Sequence, residues 1–349
     1  MVAKCGDFKR SYSEDEAIFE TRFVRICVLG WIIAVFIFPF FADTYLLDVA
    51  NQIGVAIIGA IGLNILTGFT GQISIGHAAF LAIGAYTSAI LTSKVELSFW
   101  ISLPLAGFIT ALIGMIFGVP SLRLKGLYLA MATFAAHFIT EFTINHWESL
   151  TNGTAGILVP PPTIGTFQFD TDQRMYFIIF ITAILLTFFA RNLFRTKVGR
   201  AFIAIRDRDI SAAVMGVNLF KYKLLAFAIS SFYAGIAGAL LAHHRKIITP
   251  ENFPIWEAIR YLAMIIIGGL GSILGSIYGA IFMILLDEIL RNITTTLSGV
   301  FPHMVGLLAS LREGVFGVTI ILFLIFEPDG LAARWHTIRS YWKLWPFSY

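Results

Sequence analysis

Charge is what this chain has least of. Only 13% of its 349 residues are Asp, Glu, Lys or Arg, against about 25% in ordinary globular proteins, while 58% are hydrophobic. A soluble fold of that composition would leave large apolar areas facing water, so soluble classes are excluded. Cysteine is nearly missing: Cys5 and Cys27 form neither a disulfide framework nor a metal set. The net charge of +4 is spread over connecting segments, which argues against a nucleic-acid surface. No G-x-x-x-x-G-K-[ST] occurs, so the chain has no P-loop, and H-E-x-x-H and G-x-S-x-G are missing as well. The chain therefore reads as non-enzymatic, with no cofactor or metal required. The N-terminus reads as having no signal peptide, because residues 1–25 are polar and the apolar stretch starts near Ile26.

Long apolar runs fill the space that charge leaves. They predict spans near 26–42, 45–66, 74–93, 99–119, 126–144, 175–190, 224–242, 256–270, 273–290 and 304–326. The expected fold is all-α: a polytopic integral membrane protein of about ten transmembrane helices, some broken at glycines. The pair 256–270 and 273–290 also reads as one long tilted helix. Three parts are expected: a polar amphipathic segment over 1–25, capped near Ser13, a membrane domain over 26–335, and a tail over 336–349. With both termini in the cytoplasm, 18 of the 25 basic residues fall inside, eight of them in the loop 191–223. A nine-span arrangement would put Arg334, Arg339 and Lys343 outside. Trp31, Trp100, Trp147, Trp256 and Trp335 fall near span ends, as interfacial anchors do.

Two stretches break otherwise apolar segments. One is Gly68-Phe69-Thr70-Gly71-Gln72-Ile73-Ser74-Ile75-Gly76-His77; the other runs Gly268-Gly269-Leu270-Gly271-Ser272-Ile273-Leu274-Gly275-Ser276. Irregular backbone at membrane depth survives only where protein or a wet cavity satisfies its polar groups, so both point to a solute pathway. Close helix packing through small residues is the competing reading. The candidate pathway residues are Gly68, Gly71, Gln72, Ser74, Gly76 and His77 with Gly268, Gly269, Gly271, Ser272 and Gly275. His77 reads either as functional or as a neutral side chain holding the break together. His137 and Glu141, four apart, share a helix face as an internal pair or as markers of a span's outer end.

In the basic loop, Gly199 to Asn218 predicts a short helix starting near Asp209 or Ser211 and stopping at Gly216. By physics alone it is an orienting loop. Gly199–Gly216 is followed by Tyr222-Lys223-Leu224-Leu225-Ala226-Phe227 and by Ala234-Gly235-Ile236-Ala237-Gly238-Ala239. Elsewhere stand Gly62-Leu63-Asn64, Gly126-Leu127-Tyr128-Leu129-Ala130 and Phe326-Glu327-Pro328-Asp329-Gly330-Leu331. In this order, the motifs resemble the M-type permease subunits of the LIV branched-chain amino-acid ABC importers over residues ~26–335. The resemblance implies a multi-pass protein of the bacterial inner membrane, a second H-type permease, two ATP-binding subunits and a periplasmic substrate-binding protein. It also implies that the EAA-type loop forms a coupling helix docked on an ATPase, with Arg206, Asp207, Ala212, Ala213 and Gly216 in that role. The chain departs from the family pattern at His137-Phe138, with Glu141 one turn later, so the solute class stays open. Urea, an aromatic acid or a sugar on the same architecture, or a secondary transporter, are the alternatives.

The basic-residue bias carries a topological prediction: a reporter fused after Tyr349 is cytoplasmic and one inserted near Thr163 is periplasmic. A periplasmic C-terminus would remove the ten-span arrangement.

Overall fold

A computed structural model of the chain describes residues 22–121, 124, 126–165, 167–300, 305–327 and 329–344. The expected amphipathic start near Ser13 lies outside them. The first helices are α1 (Arg22–Ile37), α2 (Thr44–Thr70), α3 (His77–Ser93), α4 (Phe99–Ser121), α5 (Leu127–His146) and α6 (Asp172–Leu193). The rest are α7 (Lys197–Val214), α8 (Leu219–Arg245), α9 (Ile255–Gly268), α10 (Ile273–Val300), α11 (Val305–Phe326) and α12 (Gly330–Leu344). Two-residue strands form the only sheets among the described residues. Ile157–Leu158 pairs antiparallel with Ile247–Ile248, and Thr163–Ile164 pairs with Phe167–Gln168.

The core is built around α2. Its residues are buried almost without interruption from Val49 to Thr70, inside a jacket formed chiefly by α6, α8, α9 and α10. Small residues let the helices approach so closely, as membrane bundles require where no hydrophobic force drives helix against helix. On α3 and α8, a methyl group at Gly84 would overlap the backbone of Gly235, and one at Gly238 would overlap the Leu81 carbonyl. Between α9 and α10, Gly279 lies against the Met264 carbonyl, so residues 256–290 form two helices packed side by side, not one long helix.

One end of the bundle is tied down by buried hydroxyl and imidazole groups. Ser88 and Ser102 are 2.8 Å apart, Ser88 lies 3.0 Å from His243 Nε2, and His243 Nδ1 lies 3.0 Å from the Pro160 carbonyl. That chain of contacts fastens the 147–171 connection onto α3, α4 and α8. All five tryptophans expected at span ends are exposed.

Among the described residues, six helices are long and apolar enough to cross a membrane: α2, α4, α5, α6, α8 and α10. A seventh span results if α11 and α12, bent by 45° at their junction, count as one. The expected ten spans each fall on a helix, yet α1, α3 and α9 are short. At 1.5 Å per residue they reach roughly 24, 26 and 21 Å, against a hydrocarbon layer of about 30 Å. For α3 and α9 the missing length is the glycine breaks themselves: residues 71–76 precede α3 and residues 269–272 follow α9. For α1, Pro39 sits in a short 3₁₀ turn that closes the helix.

Gly84→Leu should drive a side chain into the Gly235 backbone and destabilise the bundle by roughly 1–3 kcal/mol or more. A lowered thermal midpoint of the detergent-solubilised protein would show this. Gly30→Leu, at a position with nothing within 4 Å, is the matching control and should leave the midpoint unchanged.

Candidate functional site

The two glycine breaks meet. α2 ends at Gly71, whose φ of +69° is the left-handed stop that glycine adopts without steric cost. The freed groups are recovered locally: Gly71 N–H donates to the Thr67 carbonyl at 3.2 Å and Gln72 N–H to that of Leu66 at 3.1 Å. The Thr67 hydroxyl donates to the Gln72 carbonyl at 3.1 Å.

The second break is satisfied across the bundle by one side chain on α2. Buried Asn64 accepts from Gly271 N–H at 2.9 Å through Oδ1. Its Nδ2 donates to the Ser272 carbonyl at 2.9 Å and to Ser276 Oγ at 2.7 Å. Within the break, Ser272 Oγ accepts from Gly275 N–H at 3.1 Å. Leaving such buried groups unpaired costs about 1–3 kcal/mol each, so Asn64 welds the breaks together.

A third and a fourth strand of chain converge there. Gly330 packs so closely on Gly269 that a methyl group would lie 2.6 Å from its Cα, which brings the 326–331 motif onto the second break. Beside that contact, hydrogen bonds from Arg334 hold the Glu327 carboxyl below its usual range. From the basic loop, Arg206 Nη1 donates to the Gly68 carbonyl at 3.3 Å while its aliphatic stem lies against Gly71. A methyl group at Gly271 would sit 2.7 Å from the same nitrogen. Asp207 holds the guanidinium from the other side, with Oδ1 3.1 Å from Nε and 3.0 Å from Nη2. A cavity of about 550 Å³ opens between the first break and this loop, lined by Thr70, Gln72, Asp207, Asp209 and Lys223 among others.

The remaining pathway candidates are part of the same packing. Gln72 donates to Thr70 Oγ1 at 3.2 Å. Gly76 lies against the Thr133 carbonyl, and Thr133 Oγ1 accepts from Ile75 N–H at 3.0 Å, which pins the break to α5. Ser74 Oγ and His77 Nε2 are buried without a hydrogen-bond partner among the described residues. The His77 ring stands edge-on to Tyr261, centroids 5.3 Å apart. Gly268 and Gly275 face each other across the α9–α10 turn.

The loop is one helix with a kink. Thr196 caps α7 by accepting from Val198 N–H at 3.2 Å, and Arg208 leaves the helical region at φ −157°, ψ 101°. The short helix then resumes through Val214, and Gly216 stops it at φ +87°. Asp209 lies 3.6 Å from Lys223 Nζ, bracing this half against α8. Ala212 is buried and faces the bundle, so of the two alanines expected to face a partner only Ala213 is presented outward. The outward face is completed by Ile210, Val214 and Met215, all strongly exposed.

Sequence reasoning selected the glycines and missed the groups that join them, Asn64, Ser276 and Thr133. A polar amide inside the apolar run Ile57–Ile65 was the available signal.

The family described as "Branched-chain amino acid transport system / permease component" matches residues 45–324. The chain is 29% identical over 331 residues to the high-affinity branched-chain amino acid transport system permease protein LivM of Salmonella typhimurium. The alignment covers 88% of this chain and 74% of that one. LivM of Escherichia coli K12 matches to the same extent. The corresponding LivH permease of Salmonella typhimurium is 24% identical over 297 residues, covering 79% of this chain and 90% of its own. No solved structure matches.

Gly271→Leu should displace Arg206 and separate the loop from the breaks, because the space is occupied by its guanidinium. Faster tryptic cleavage after Arg206 in the detergent-solubilised variant than in wild type checks this; an unchanged rate would show that the loop stays seated. Asn64→Leu should leave Gly271 N–H unpaired, while Ser276 Oγ keeps its bond to the Ser272 carbonyl, costing roughly 1–3 kcal/mol from one unsatisfied group. Melting of the purified protein checks this second variant.

Proposed function

Because the chain belongs to the permease-component family of branched-chain amino acid transport systems, we propose that it is a permease subunit of an ABC importer that moves branched-chain amino acids across the bacterial inner membrane. The relatives named for that solute class favour it over urea, an aromatic acid or a sugar. The same names disfavour a secondary transporter, and two of the carboxylates such a carrier could use, Glu257 and Asp287, both hold Arg260, at 3.1 and 3.3 Å. The similarity to LivH as well as LivM supports a pair of related permeases as the membrane unit.

In this reading the end bearing the breaks and the loop is cytoplasmic, and both termini lie on that side. The short helices α1, α3 and α9 also cross, giving ten spans in which irregular backbone at the breaks completes the crossing. Hydrolysis of ATP belongs to two partner subunits, and a periplasmic protein delivers the solute.

The observation that carries the coupling role is the double allegiance of the loop. Its outer face presents Ile210, Val214 and Met215, an apolar patch that water disfavours and a partner would cover. Its inner side holds Gly68 through Arg206. A push on the patch by a closing ATPase dimer reaches both helix breaks through one side chain, and the breaks are where the bundle has least helical backbone to resist bending.

The test is leucine uptake by the reconstituted importer, with Ala213→Trp compared against wild type. Ala213 points outward, so the bulky side chain spares the fold and should reduce ATPase co-purification, or leave hydrolysis uncoupled from uptake. Unchanged assembly and unchanged coupled uptake would leave the loop with an orienting role only. Hydrolysis by the isolated chain would overturn the assignment of function.

A further inference from the structure

The interior of this subunit leaves no room for a solute to pass between α2, α3 and α8, where glycines bring backbone onto backbone and Tyr233 fills the space beside Gly62. A path must therefore run along an outer face, and one face is chemically unlike the rest. On α5 the residues Tyr128, Met131, Ala135, Phe138 and Phe142 form an exposed apolar stripe at helical spacing. Beside the stripe stands Glu141, with 44% of its side chain exposed.

Glu141 lies within α5, five residues before its end at His146. Thr133 fixes α5 against the first break, and Glu141 lies two turns further along, about 12 Å at 1.5 Å per residue. Exposed Trp147, an interfacial type of residue, comes about 9 Å beyond it. A carboxylate at that depth facing lipid would lose its hydration with nothing in return. Behind it, His137 is buried, 3.8 Å from Glu141 and so beyond a hydrogen bond, and neither ring nitrogen has a partner among the described residues. Phe134 and Phe138 lie edge to face with centroids 4.8 Å apart, and the Phe138 ring stands edge-on to His137. An acid, an unsatisfied imidazole and aromatic surfaces are the pieces that hold an ammonium group next to an aliphatic side chain.

Resting on the importer reading above, in which the two permeases share the solute path at their seam, we propose that this face of α5 lines that path and that Glu141, backed by His137, takes the ammonium group of the passing amino acid. Lipid is excluded as the occupant by the ionisable pair. A second permease of the same family supplies the opposite wall; within the chain α5 packs on α3 and α4 and on the turns at 148–155 and 250–252, and the face bearing Tyr128, Met131, Phe138 and Phe142 is left exposed.

The experiment uses the whole reconstituted complex with its binding protein and radiolabelled leucine. Glu141→Gln keeps size and shape while removing charge, so the complex should still co-purify with the second permease and the ATPases. Uptake should fall roughly ten- to hundred-fold, the size of one lost charge-assisted hydrogen bond, and Glu141→Asp should recover part of it. In a second measurement, Phe138→Cys is placed in a chain whose Cys5 and Cys27 are replaced by serine. It should react with a membrane-impermeant, water-soluble thiol reagent, and leucine-loaded binding protein should slow the reaction. Wild-type uptake by Glu141→Gln, or a Phe138→Cys that reacts only with a lipid-soluble reagent, overturns the proposal. Should Glu141→Gln fail to assemble, the labelling result decides alone. A wild-type complex that takes up no leucine, isoleucine or valine would refute the importer reading instead, which keeps the two failures apart.

Discussion

A helix interrupted inside a bilayer has freed backbone groups and no water to receive them, and Asn64 is this chain's answer to that constraint. One carboxamide, carried by the most enclosed helix, accepts from Gly271 and donates to Ser272 and Ser276. Without it the Gly271 N–H would be buried with no partner, at a cost of about 1–3 kcal/mol. With it, the turn can be non-helical, close-packed and still attached to the centre of the bundle. The rest of the architecture follows from this attachment. The second break must sit beside the first, the 329–330 turn must come in against Gly269, and Arg206 finds Gly68, Gly71 and Gly271 in one place.

Those contacts set limits on how the assembly can move. Glycine at 68 is demanded by what touches it, since a methyl group there would enter the Asn64 amide and the Gly271 backbone, and glycine at 271 by its left-handed φ of +73°. Gly71 is demanded by its left-handed conformation as well. Such a joint has two properties at once. It is held by a few directional bonds, so it keeps a definite geometry, and it has lost the continuous hydrogen-bond ladder that makes a helix stiff. Bending concentrated there costs less than bending anywhere within α2 or α10.

Much of this was legible in the residues, and the limit of legibility is physical. Apolar runs, glycine interruptions, interfacial tryptophans and the basic loop are local signals, written in consecutive residues, and each corresponds to a helix, a break, an exposed ring or α7 in the structure. The stop at Gly216 was readable for the same reason. The junction of the two breaks was not, because Asn64 and Gly271 are 207 positions apart and nothing in either neighbourhood names the other. The orientation of Ala212 was equally hidden. The kink at Arg208 rotates the short helix and turns that alanine inward, and periodicity counted from Gly199 runs straight through it. The ten runs counted from sequence exceed the six or seven spans that length and apolarity support among the described residues, and the breaks beside α3 and α9 are what leave those two helices short.

The two ends of the bundle use their polar groups differently, and the contrast explains where movement belongs. At the end away from the loop, Ser88, Ser102 and His243 are buried and mutually bonded, and His244 reaches Asp48 at 2.9 Å. A network of that kind strengthens its own members in a low dielectric and resists change in any one of them. At the loop end, by contrast, the contacts that join the loop to the bundle are part-exposed and made through long side chains, Arg206 to Gly68 and Lys223 to Asp209, with an open cavity beside them. Rigidity at one end and a sparse joint at the other are what a lever requires. On the proposed coupling role, force applied at Ile210, Val214 and Met215 would be resolved at the breaks, while α3, α4 and α8 would keep their fixed far ends. Because Thr133 ties the first break to α5, the proposed displacement would reach the helix that carries His137 and Glu141 without passing through the packed core around α2.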